Sequence, residues 1–152
     1  MKYRRLGKTN IIVSEIGFGG WGIGGITPGP TSYGPTDDTV SLNTLKRALE
    51  KGITLYDTSN IYGAGHSENL IGRAFKSKRD EVVIATKAGL TDYENPPNFS
   101  PSSIRKSLEE SLIRLQTDYV DILQLHNPTE KTIRKQEDLL NLSEKLKQEG
   151  KI

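Results

Sequence analysis

Three apolar runs in this chain break off on a residue able to hold or move a proton, and that shared pattern narrows the fold more than any other feature. They are Leu55-Tyr56-Asp57-Thr58, Val83-Ile84-Ala85-Thr86-Lys87 and Ile122-Leu123-Gln124-Leu125-His126. A loop, Ile61-Tyr62-Gly63, adds a phenol five residues after Asp57. Strands covered on both faces read as near-continuous apolar stretches, and each run here is followed by helical periodicity, so repeated βα units and a parallel sheet are expected. In barrels built this way the loops at the carboxyl ends of the strands gather into one site. Asp57, Tyr62, Lys87 and His126 are therefore expected to converge, although they spread over about half the chain.

The remaining segments fit this scheme. Tyr3 to Leu6 and Ile11 to Val13 flank Gly7-Lys8-Thr9-Asn10, turn residues that suggest a β-hairpin. Glu15-Ile16-Gly17-Phe18 reads as a short strand running into Gly19-Gly20-Trp21-Gly22-Ile23-Gly24-Gly25. A glycine-rich stretch lets a flat ligand or a phosphate approach the backbone. The dinucleotide fingerprint needs its glycines to open a helix, and here Thr27-Pro28-Gly29-Pro30 and a long loop follow, which excludes the Rossmann reading. Trp21, a large aromatic among glycines, points to a pocket wall.

Thr36-Asp37-Asp38 supplies a cap for a helix with Val40, Leu45, Ala48 and Leu49 as its apolar stripe, ended by Gly52. Ile53 to Asp57 is the next strand. Ser67 is read as the cap of a helix that buries Leu70, Ile71, Ala74 and Phe75, with Glu68 in its first turn and His66 solvated beside the cap. Val82 to Lys87 is a strand, and Ser100-Pro101 opens a helix carrying Ile104, Leu108, Leu112 and Leu115. Tyr119 to His126 is the last strand. Glu137 to Gln148 forms a final helix with Leu139, Leu140, Leu142 and Leu146. Residues 1–152 read as a single domain, a hairpin followed by about four βα units.

Composition removes several function classes. A net charge of +2 with acids and bases interspersed argues for neither nucleic acid nor a membrane surface. The chain has no cysteine, which excludes disulfides, thiolate metal sites and a cysteine nucleophile, and two histidines make a metal centre a poor expectation. Neither a signal peptide nor a bilayer-spanning run is visible, so a cytoplasmic protein is the default expectation.

The chemistry of the four groups is specific. Asp57 beside Lys87 keeps the amine charged, and an ammonium beside Tyr62 favours the phenolate. A free phenol titrates near 10, and acting as an acid close to neutrality asks for a drop worth about 3–4 kcal/mol. Two unit charges about 4 Å apart at an effective dielectric of about 20 supply roughly 4 kcal/mol, so one lysine suffices. A phenol tuned this way is a general acid for a carbonyl oxygen that gains negative charge, and His126 can hold that oxygen. With no nucleophile–base pair, proton donation implies a hydride from a nicotinamide cofactor.

The sequence resembles the aldo-keto reductases, NADP(H)-dependent barrels of TIM type. The matching stretches are Gly19-Gly20-Trp21-Gly22, Asp57-Thr58-Ser59 with Tyr62-Gly63, Glu68-Asn69-Leu70-Ile71-Gly72, Ala85-Thr86-Lys87, and Tyr119-Val120-Asp121-Ile122 to His126. The resemblance implies reduction of an aldehyde or ketone, with Tyr62 as proton donor, Lys87 and Asp57 tuning it and His126 orienting the carbonyl. It also implies that Gly20, Trp21 and Asp57 lie near the nicotinamide, and that Trp21, Tyr62 and His126 line the substrate pocket.

The chain has about half the length usual in that family and stops at Glu149-Gly150-Lys151-Ile152, where a fifth strand would begin. A half-barrel is therefore expected to bind NADP(H) weakly or not at all alone, and its open sheet edges and apolar inner face favour self-association or pairing with a second half-barrel. A non-catalytic half-barrel fragment or interaction module is the alternative to the enzyme. A Schiff-base role for Lys87 is disfavoured by Asp57, which keeps the amine protonated.

Overall fold

The computed structural model describes residues 1–27, 32–134 and 137–152. The expected loop at Pro28-Gly29-Pro30 lies outside the described residues. Strands β1 (Tyr3–Arg5) and β2 (Ile12–Ser14) form the expected antiparallel hairpin, with Arg4 opposite Val13. A second sheet is wholly parallel, in the order β3 (Gly17–Gly19), β4 (Leu55–Asp57), β5 (Val83–Ala88) and β6 (Ile122–Leu125).

Between successive strands run α1 (Asp38–Glu50), α2 (His66–Phe75) and α3 (Pro101–Leu115), while α4 (Glu130–Arg134) and α5 (Glu137–Gln148) follow β6. Local chemistry sets several of these boundaries. The Asp37 carboxylate caps α1 by accepting from the Val40 N–H at 2.8 Å, and Gly52 leaves its end at a φ of 85°. The Ser100 side chain caps α3, with Pro101 at the first helical position, where no N–H is missed. Helix α4 is a short element that the hydrophobic periodicity does not announce.

Side-chain alternation divides the sheet into two faces. Tyr56, Ile84 and Ala88 point to the helices and join Leu45, Leu70, Ile71, Phe75, Leu108, Leu115 and Leu146 in the core. Along α1 and α5 the expected stripes are only partly buried: Val40 and Leu140 stay exposed because they face away from this core. On the other face, registered pairing puts Gly19, Asp57, Ala85 and Ile122 in one row and Lys87 beside Gln124 one step nearer the carboxyl edge. Among the described residues β3 and β6 each pair on one side only. The architecture is thus half of a (β/α) barrel. No helix among the described residues is long and apolar enough to cross a membrane.

Candidate active site

The rows of the inner face dictate how the first two groups meet. Lys87 sits one rung beyond the row of Asp57 on the neighbouring strand, so its long side chain leans back and donates to Asp57 Oδ2 at 2.6 Å. It also donates to the Thr58 carbonyl at 2.8 Å. The other carboxylate oxygen, Oδ1, accepts from Gln124 Nε2 at 2.8 Å. The carboxylate is thus held by β5 through one oxygen and by β6 through the other. The ammonium, with two acceptors fixed, has little freedom left.

Tyr62 arrives from the β4–α2 loop. That loop is pressed against the glycine-rich segment so closely that a Cβ at Gly63 would meet the Gly24 carbonyl oxygen at 1.8 Å. Gly63 also has a φ of 61°, which favours glycine over other residues. The resulting loop places the Tyr62 ring with its centroid 4.9 Å from Lys87 Nζ, a cation–π distance. His126 meets the same ring edge-on, centroids 6.1 Å apart and planes at 88°. Trp21 is stacked beside it, centroids 6.2 Å apart and planes at 28°. Tyr62 therefore stands among Lys87, His126 and Trp21.

His126 follows β6 directly, and its backbone N–H donates to the Ala88 carbonyl at 2.9 Å. The side chain is buried, and its Nδ1 is 3.0 Å from Ser59 Oγ. Burial holds the imidazole below the usual histidine range, and the Lys87 charge lowers it further while Asp57 opposes both. The ring is accordingly neutral at neutral pH.

The glycine-rich stretch forms a 3-10 turn from Gly20 to Ile23. A Cβ on Gly20 would meet Ser67 Oγ at 2.6 Å, so packing against α2 accounts for that glycine. Gly19 and Gly22 face open space, with nothing within 4 Å of a Cβ at either. Trp21 carries a buried indole N–H with no hydrogen-bond partner among the described residues. Open space at Gly19 and the Asp57 carboxylate paired beside it, still 39% exposed, leave room and an acceptor for a flat, amide-bearing ring.

Two readings of the α2 start are corrected. Ser67 does not cap the helix, which begins one residue earlier after Gly65 in a left-handed conformation. Its hydroxyl instead accepts from Thr58 Oγ1 at 2.9 Å and donates to the Gly20 carbonyl at 2.8 Å, tying three segments of the site together. His66 is not simply solvated: its Nε2 lies 2.8 Å from Asp38 Oδ1. Gln124 and Ser59 were missed as site residues. Gln124 carried a usable signal, because it lies two residues before His126 on a strand and hence on the same face. Ser59 lies past the strand end and carried none.

Residues 15–152 match the model of the Aldo/keto reductase family. The aldo-keto reductase YhdN of Bacillus subtilis is 44% identical over 84% of this chain and 38% of its own length. The NADH-specific methylglyoxal reductase of Escherichia coli is 37% identical over the whole chain and 50% of its own. The holo form of the aldo-keto reductase AKR11C1 from Bacillus halodurans superimposes with a TM-score of 0.84 at 34% identity, covering 99% of this chain and 47% of that one. The chain spans about half the length of the relatives it matches.

Proposed function

This chain belongs to the aldo/keto reductase family, and on that footing we propose that it carries the proton-donating centre for NADPH-dependent reduction of an aldehyde or ketone. The observation that carries the reading is the ammonium of Lys87, clamped by Asp57 and the Thr58 carbonyl while lying 4.9 Å from the Tyr62 ring. A cation fixed there favours negative charge on the phenol oxygen, the state left when Tyr62 gives its proton to a carbonyl oxygen. Asp57 keeps the cation charged, and Gln124 keeps Asp57 in place.

His126, being neutral, does not compete as an acid, and it can hold the carbonyl oxygen by hydrogen bonding. Trp21, whose ring is stacked at 28° to that of Tyr62, forms the apolar wall against which the substrate rests. A nicotinamide supplies the hydride when bound, and Gly20, Trp21 and Asp57 are the residues of this chain that would hold that end of it. In this reading the dinucleotide is NADP(H).

Titrating the purified chain with NADPH by fluorescence, alongside turnover of a generic aldehyde, tests the proposal. Micromolar binding with turnover supports it. Tyr62→Phe is then expected to lower reduction by about 10²–10⁴-fold, the usual worth of a general acid, and to leave cofactor binding unchanged. Full activity in Tyr62→Phe sinks the assignment.

A second reading rests on the two strands that pair on one side only. Open edges and an uncovered inner face suit association with a second half-barrel or with a second copy, without catalysis by this chain alone. No NADPH binding up to millimolar cofactor, with light scattering that reports an oligomer, favours this reading. A dilute monomer that unfolds cooperatively counts against it.

A further inference from the structure

The imidazole of His126 makes a single hydrogen bond to the described residues, at Nδ1 with Ser59, and Nε2 on the opposite edge makes none. A neutral imidazole carries one N–H, so whichever group sits at Nδ1 decides what Nε2 can do. Ser59 is fully buried, and its Oγ also lies 3.1 Å from Asn60 Oδ1. The Asn60 amide is oriented by its Nδ2, which donates to the Leu90 carbonyl at 2.8 Å, so its oxygen is the atom turned toward Ser59. The Ile61 N–H donates weakly to Ser59 Oγ at 3.4 Å.

The Ser59 hydroxyl thus has one proton and two acceptors. If the proton goes to Asn60, then Oγ must accept from Nδ1–H, and Nε2 is left with a bare lone pair. A lone pair facing a carbonyl oxygen repels it. If the proton goes to Nδ1, the ring proton sits on Nε2, which then donates. The second arrangement has the stronger acceptor, since an imidazole whose conjugate acid titrates near 6.5 is far more basic than an amide oxygen.

We propose that Ser59 is a positioning residue that sets the tautomer of His126: it donates to Nδ1 and so makes Nε2 the hydrogen-bond donor of the site. This rests on the reading of His126 as the group that holds the carbonyl oxygen. The orientation passes from Ser59, beyond the end of β4, to a ring at the end of β6, while the Asn60 amide oxygen competes for the same proton. It matters because the ring is neutral at working pH, where tautomer rather than charge decides donor or acceptor.

The test is the ring ¹⁵N spectrum of the isotopically labelled chain at neutral pH, with the two histidines assigned through His66→Gln. Wild type is expected to show Nδ1 as bare and Nε2 as protonated; the reverse pattern overturns the proposal. Ser59→Ala is expected to lower the ratio of Nε2–H to Nδ1–H roughly fivefold, the worth of one hydrogen bond. An unchanged ratio overturns the proposal. Should Ser59→Ala not fold, Asn60→Ala serves, because removing the competing acceptor must leave Nε2 protonated, and a swing to Nδ1–H refutes the assignment. The reductase reading fails separately: undiminished aldehyde reduction by His126→Leu would strike it while the wild-type spectrum still decides for or against Ser59.

Discussion

Two carboxylates are held against strand β5, one on each of its faces, by bonds of nearly equal length, and they differ in access. On the inner face Lys87 meets Asp57 at 2.6 Å, with side chains 13% and 39% exposed. On the helix side, one residue earlier, Thr86 donates to Glu68 Oε1 at 2.5 Å, and Arg114 of α3 donates to Oε2 at 2.6 Å. Glu68 is wholly inaccessible. The first carboxylate keeps an opening through which a ligand can feel its charge. The second has both oxygens satisfied inside the protein and joins α2, α3 and β5. Equal bond lengths therefore do not mean equal roles, because access separates a group that can do chemistry from one that holds the frame.

The comparison breaks most visibly under Arg114→Met. The substitution leaves the Glu68 carboxylate buried with only Thr86 beside it, and removing one partner of a buried pair costs about 3–5 kcal/mol. The midpoint of urea unfolding should fall accordingly. A change below about 1 kcal/mol would mean that the helix-side pair is not structural, and the contrast would collapse.

Lys87→Met probes the other face. Asp57 is partly exposed and keeps its bond to Gln124, so the expected loss of stability is only about 1 kcal/mol. Carbonyl reduction, in contrast, should fall by at least about 100-fold, because the phenolate of Tyr62 loses its nearest cation. Denaturation and turnover measured on the same variant separate the two effects. Equal losses in both would place Lys87 with the frame rather than with the chemistry.

The same contrast explains what could be read before the structure. The inner-face groups were legible because each ends an apolar run, and strand ends in a parallel sheet share one edge. Lys87 announced itself by charge in an apolar context, and Gln124 could have been found by the two-residue period. Glu68 was read as an acid in the first turn of α2, where the helix dipole favours one. Its burial was hidden, because the partner Arg114 comes from 46 residues downstream. Ser67 misled for a related reason. It has the right residue type for a cap, yet tertiary bonds to Thr58 and Gly20 claim its hydroxyl, and the turn at Gly63 and Gly65 sets the helix start instead. Long-range polar pairing leaves no periodic trace in a sequence.

The smallest expected effect concerns His126, which belongs to the inner face yet is as buried as the frame. Its native titration lies below the ordinary histidine value near 6.5, first through burial and then through Lys87, with Asp57 opposing. The unfolded chain therefore takes up this proton before the folded one does. Stability is full above about 6.5 and falls as the pH drops through the lower native value. Between pH 7 and 5 the wild type should lose stability more steeply than His126→Gln, which has no proton to bind at this position. His66, beside Asp38 in both proteins, cancels in the difference. Urea midpoints collected at several pH values check this, and parallel profiles would show that the ring is as free to charge inside the site as in water.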